Sequence, residues 1–150
     1  MAKERLSPQT TLKVVRTFQA PRERVFRAWT DPVELARWFA PSEEYHALVP
    51  EFELRVGGKY CLEMHHKGGN IHRVSGIYRE ITPPERIVFT WLWETDPKSD
   101  ESLVTVEFRD LGPSTEILLT HEHLPSLEQR DRHEHGWIGC INSLGNYLNM

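Results

Sequence analysis

The 150-residue chain predicts an α+β fold: a curved antiparallel sheet crossed by one long C-terminal helix. Two patterns lead there. Residues 123–150 turn at Leu124-Pro125, start a helix at Ser126 and carry an apolar stripe at Trp137, Ile141, Leu144 and Leu148, a spacing that keeps all four on one helical face. Residues 43–123 read almost throughout as alternating strands broken by glycine and proline turns. The helix must bury its stripe against that sheet. Together they make a container whose interior is the expected seat of function.

The elements follow in order. Over 11–18, Leu12, Val14 and Phe18 take alternate positions, as in a strand with one buried face. Ala20-Pro21 breaks it. Pro21 suits a first helical turn, where a missing N–H leaves no bond unmade, and Val25, Phe26, Ala28 and Trp29 supply the buried side. At Asp31-Pro32-Val33-Glu34 a second short helix begins with an N-cap, a proline at its first position and an acid expected to bond back to the cap; Leu35, Trp38 and Phe39 face inward and Pro41 ends it. Hairpins come next. Phe52, Leu54 and Val56 alternate into a turn at Gly57-Gly58, and Tyr60, Leu62 and Met64 alternate on the return. Lys67-Gly68-Gly69-Asn70 turns the chain into a strand over 71–81, with Val74, Gly76 and Tyr78 on one face, and Thr82-Pro83-Pro84-Glu85 stops it. Ile87, Phe89, Trp91 and Trp93 give the strongest alternation in the chain, before a polar loop over 96–100. Val104, Val106 and Phe108 lead to Gly112-Pro113, after which Ile117, Leu119, His121 and His123 share one face of the last strand. Ser126 and Gln129 form the capping pair that opens the terminal helix.

Composition narrows the function. The length suits one domain, an N-terminal extension over 1–10 followed by a single unit over 11–150, burying roughly 70% of its unfolded surface. Eighteen Lys and Arg against 22 Asp and Glu give a charge of −4, which attracts neither nucleic acid nor an anionic membrane. No apolar run approaches the ~20 residues that span a bilayer, and the first residues lead into no apolar leader, so a cytoplasmic protein is expected. Cys61 and Cys140 stand far apart in sequence, without metal or redox spacing, and read as free thiols.

Several strings, in this order, resemble the activator-of-heat-shock-protein-90-ATPase homologue-like family of the START-like (SRPBCC) superfamily. They are Ala20-Pro21 through Val25-Phe26-x-Ala28-Trp29-Thr30-Asp31-Pro32; Trp38-Phe39-Ala40-Pro41; Arg55-Val56-Gly57-Gly58-Lys59-Tyr60; Gly76-x-Tyr78-x-Glu80-Ile81-x-Pro83-Pro84-Glu85-Arg86-Ile87-Val88; Thr90-Trp91; and Gly136-Trp137. The resemblance runs over about 10–149. It implies a helix-grip (Bet v 1-like) fold, a seven-stranded antiparallel sheet curled around the C-terminal helix with a deep apolar cavity, and it specifies no reaction. The co-chaperones that name the family carry a further N-terminal domain, whereas about ten residues precede the first strand of this sequence. ATPase activation is therefore not the leading expectation.

Five tryptophans, at 29, 38, 91, 93 and 137, suit the wall of such a cavity, because indoles offer large contact area and an N–H at the edge. The candidate lining is Trp38, Phe39, Phe52, Met64, Tyr78, Trp91, Trp93, His121, Trp137 and Ile141. Histidine pairs invite a metal. His121 and His123 share a strand face, but His133 and His135, two apart on a helix, point to different faces, so no metal and no cofactor are expected. His121 then serves as a polar group in the cavity, with His123, His133 and His135 solvated near its mouth. Acid–base chemistry would draw on His121, Glu63, Glu107 or Tyr78, with both glutamates expected on the solvated face. The leading expectation is a protein that binds a small hydrophobic or aromatic molecule. A cavity-based cyclase, dehydratase or hydrolase and a stress-response chaperone-interaction module are the alternatives. A homodimer through a sheet edge or the helix surface stays open.

Overall fold

The structure, a computed structural model, describes residues 10–149, so nearly all of the expected N-terminal extension lies outside the described residues. The chain runs β1 (Leu12–Phe18), α1 (Arg22–Thr30), α2 (Pro32–Trp38), β2 (Tyr45–Phe52), β3 (Lys59–His66), β4 (Ile71–Thr82), β5 (Arg86–Trp93), β6 (Ser102–Asp110), β7 (Thr115–Glu122) and α3 (Leu127–Leu148). All seven strands pair antiparallel in one curved sheet, in the order β1-β7-β6-β5-β4-β3-β2. Strands β1 and β2 are thus consecutive in sequence yet occupy opposite edges. The short helices carry the chain across, and the meander from β2 returns it to β1. No helix among the described residues is long and apolar enough to cross a membrane.

Register sets the buried face. Leu12 and Val14 of β1 stand opposite His121 and Leu119 of β7, and Val104 and Val106 of β6 oppose the same two residues from the other side. All six are buried. Phe89 and Trp91 continue the layer on β5, and Tyr60, Leu62 and Met64 on β3. Helix α3 lays Trp137, Cys140, Ile141 and Leu144 on this face, and its start is fixed by Ser126, whose hydroxyl accepts the Gln129 N–H at 3.1 Å. At the other end of the groove, α1 and α2 close the core with Val25, Phe26, Trp29, Leu35 and Trp38.

Three local expectations change. The strand expected from Phe52, Leu54 and Val56 lies earlier: β2 ends at Phe52, while Leu54 and Val56 are 42% and 63% exposed in the connection to β3. Hydrogen bonds from Arg55 N–H to the Glu53 carbonyl and from Gly58 N–H to the Arg55 carbonyl fold those residues into a turn, which Gly57 completes at φ +85°. Pro50 and a bulge between Leu48 and Glu51 had masked the true edge strand, where Tyr45, Ala47 and Val49 turn inward. His123 does not extend the face of His121. The strand stops at Glu122, and His123 takes φ +68° as the chain turns toward α3.

Glu34 is the third. Asp31 caps α2 as expected, accepting the Val33 and Glu34 N–H groups, but the Glu34 carboxylate does not bond back to it. Arg24 at 2.6 Å and Arg27 at 2.8 Å draw it toward α1, and the Tyr147 hydroxyl donates to it at 3.0 Å from α3. Charge-assisted bonds outcompete one backbone N–H. Burial pushes this carboxyl up, yet the hydrogen bonds from Arg24, Tyr147 and Arg27 outweigh it, and its pKa lies below the ordinary value. One carboxylate thereby ties all three helices together.

Candidate functional pocket

The groove between sheet and helix is filled at one end and open at the other. At the filled end Tyr60, Tyr78 and Phe89 meet with centroids 5.5–6.0 Å apart, and the Tyr60 hydroxyl donates to the Thr90 carbonyl at 2.5 Å. Only about 20 Å³ remains there, bordered by Trp29, Phe39, Phe52, Tyr78 and Trp91 among others. Beyond Phe39 and Trp91 the groove opens into a pocket of about 530 Å³, within the range of small-molecule sites.

Helix α3 forms one wall of the open pocket with Gln129, Arg132, His133, Gly136, Trp137 and Cys140, and the sheet forms the other with Met64, His72, Trp91 and Trp93. Phe39, Pro41 and Tyr45 close one side, and Thr95 and Asp96 lie at the β5 end. The indole planes of Trp91 and Trp93 meet at 89° with centroids 5.4 Å apart, and Trp137 lies 5.0 Å from Trp91. The five tryptophans form one chain of ring contacts, Trp38–Trp29–Trp137–Trp91–Trp93.

Two histidines brace this wall. The Trp137 indole N–H donates to His121 Nδ1 at 3.0 Å, so His121 carries its proton on Nε2 and donates it to Ser102 Oγ at 2.7 Å; Ser102 in turn donates to the Trp91 carbonyl. His121 is fully buried. Burial, with His133 nearby, holds its pKa well below the ordinary value, so the ring stays neutral. His133 repeats the device one layer out. The Trp93 N–H donates to His133 Nε2 at 2.9 Å, and His133 Nδ1–H donates to the Gln129 carbonyl at 2.7 Å. Burial lowers its pKa, the bond to Gln129 raises it, Arg132 lowers it, and the net direction is down. Both rings have both nitrogens engaged. They fix indoles in place.

The structure gathers Phe39, Met64, Trp91, Trp93 and Trp137 around the open pocket. Phe52 and Tyr78 border the small inner void instead, and Trp38, Ile141 and His121 sit in the packed core, Trp38 donating its N–H to the Ala28 carbonyl at 2.8 Å. His133 is half-buried and bonded, in contrast to the expected solvated position, because the helical face of Trp137 continues upstream through it. Glu63 pairs with Arg73 and His65 on the outer face. Cys140 is buried, and burial pushes its thiol up to about 12, which disfavours the thiolate at neutral pH. Among the described residues no cluster of His, Cys, Asp and Glu could hold a metal ion.

Sequence reasoning passed over Tyr45, His72, Asp96, Gln129 and Arg132 as pocket residues and placed His133 only as a solvated group near the mouth. A signal existed for the helical ones. Counting back in steps of four from Trp137 reaches His133 and Gln129, and from Cys140 reaches Gly136 and Arg132, but the polar side chains hide the stripe's continuation.

Comparison with known proteins adds three findings. Residues 19–149 match the profile of the family described as Activator of Hsp90 ATPase homolog 1-like protein. Activator of 90 kDa heat shock protein ATPase homolog 1 from Homo sapiens is 30% identical over 111 residues, which cover 72% of this chain and 30% of the human protein. The chain thus spans about a third of that relative's length. Among solved structures, a protein from Chromobacterium violaceum superimposes with a TM-score of 0.85 at 29% identity, covering 92% of this chain and 96% of its own. The AHSA1 protein from Silicibacter pomeroyi gives 0.81 at 28% identity, covering 93% and 97%.

Proposed function

The chain belongs to the Activator of Hsp90 ATPase homolog 1-like family, and from that premise we propose that it binds a small apolar or aromatic molecule in the open pocket between sheet and helix α3. The observation that carries this reading is the pocket itself, about 530 Å³ with Phe39, Met64, Trp91, Trp93 and Trp137 on its walls. Aromatic and thioether walls suit a flat apolar guest, and Asp96, Arg132 and Gln129 offer polar contacts at its edge. The occupied nitrogens of His121 and His133 support sequestration or sensing over acid–base turnover. Two buried, unpaired cysteines support a cytosolic setting.

Thermal shift with a panel of aromatic and aliphatic ligands, followed by native mass spectrometry of each hit, tests the proposal. A ligand at about 100 times its Kd stabilises by about 2.7 kcal/mol, a rise of several degrees for a chain of this length. A panel without one stabilising, mass-resolved complex refutes it. A second reading, stimulation of a chaperone ATPase, rests on the name of the human relative. Its test is the ATPase rate of a 90 kDa heat-shock protein with and without this chain, and an unchanged rate removes it.

A further inference from the structure

The inner void and the open pocket share two residues, Phe39 and Trp91, whose rings stand 6.2 Å apart. Trp29 and Trp91 both border that void, and the indole N–H group of each is buried from solvent without a hydrogen-bond acceptor. Orphaned buried donors are uncommon, because a donor dried without a partner loses its bond to water and gains nothing. The other residues around the void relieve neither. They are Leu35, Leu62, Ile87, Phe52, Phe89 and two tyrosines, none of them charged, and neither tyrosine hydroxyl accepts from either indole. At about 20 Å³ the void accommodates one small group.

Resting on the pocket reading above, we propose that the guest is a neutral carbonyl compound, a ketone, aldehyde or ester on an aromatic or alkyl body. Its body occupies the open pocket, and its oxygen passes between Phe39 and Trp91 to accept the Trp91 indole N–H, with the Trp29 N–H as the second donor on the same void. A carbonyl oxygen has two lone pairs and can take both. A carboxylate is excluded by chemistry, since the void's lining contains no cation to balance it. A hydrocarbon fills the outer pocket and leaves the donors orphaned.

The test uses the full chain with a matched pair, 2-acetylnaphthalene and 2-ethylnaphthalene, measured by calorimetry and by the infrared carbonyl stretch of the bound ketone. The expected result is a bound carbonyl band shifted to lower frequency than in hydrocarbon solvent, and a Trp91→Phe variant that weakens the ketone about tenfold more than the hydrocarbon. If that variant fails to fold, the infrared band of the wild-type complex decides alone. Both compounds bound, with an unshifted carbonyl, overturns the acceptor site and leaves the pocket standing. Binding of neither overturns this inference, while the pocket reading stands or falls on the broader ligand panel.

Discussion

Replacement of His121 by leucine puts the brace behind the pocket to a quantitative test. Leucine fills a similar space but offers no nitrogen. The Trp137 N–H, on a side chain only 3% exposed, loses its acceptor at 3.0 Å, a loss of about 1–3 kcal/mol. Ser102 loses a partner at 2.7 Å but keeps the Trp91 carbonyl, and the added apolar burial offsets part of the total. A net loss of about 1–2 kcal/mol at pH 7.5 follows, or about 2–8 °C in Tm. The pH dependence is sharper evidence. His121 has its folded pKa depressed well below 6.5, so on acidification the unfolded chain binds a proton that the folded chain does not, and wild-type stability falls as pH drops through the unfolded value. For a histidine that stays neutral in the fold, linkage gives a loss of about 2 kcal/mol between pH 7.5 and 5.0. The leucine variant lacks that loss. Urea unfolding across this range should therefore show the gap between the two proteins closing, with near-equal stability at pH 5.0. A gap that holds constant means that His121 titrates in the fold as it does in the open chain, and the sealed brace is wrong.

Other outcomes follow from features already described. Glu34→Gln should cost about 1–2 kcal/mol at pH 7; because its folded pKa is depressed, the stabilisation is present above the unfolded value of 4.5 and is lost as pH falls through the folded one, so the deficit in urea midpoint shrinks in acid. Gly136→Ala meets no atom within 4 Å and should stabilise α3 by about 0.5–1 kcal/mol, whereas a Cβ at Gly139 would lie 2.2 Å from the Pro41 carbonyl oxygen and should lower Tm despite the same gain in helix propensity. Val56→Thr, at a position 63% exposed, should change the unfolding free energy by less than about 0.5 kcal/mol, where a buried strand position would lose more.

Much of the fold was legible because strand alternation and helical period report burial directly. Ile87, Phe89 and Trp91 alternate because one side of β5 faces the core, and Trp137, Ile141 and Leu144 recur because one side of α3 covers it. The edge strand β2 was misplaced for the same physical reason in reverse, since a bulge and Pro50 break the period that alternation relies on. The pocket was only half legible. Apolar wall residues announce themselves by pattern, but Gln129, Arg132 and His133 line the pocket as polar residues, which a hydrophobic period does not register. The Trp–His bonds join β7 and β5 to α3 across gaps of 16 and 40 residues, and no local string encodes such a pairing.

The unbroken file of tryptophans has an optical consequence. Indoles at these separations exchange excitation faster than they emit, so light absorbed at buried Trp38 or Trp29 migrates along the file, and Trp93, the half-buried terminal member, lies where emission responds to polarity. The transition dipoles of Trp91 and Trp93, whose ring planes cross at 89°, also couple into a paired circular-dichroism band whose amplitude follows the mutual orientation of the two rings. A guest wedged beside Trp93 alters both signals. Both signals therefore offer a dye-free readout for the ligand panel proposed above.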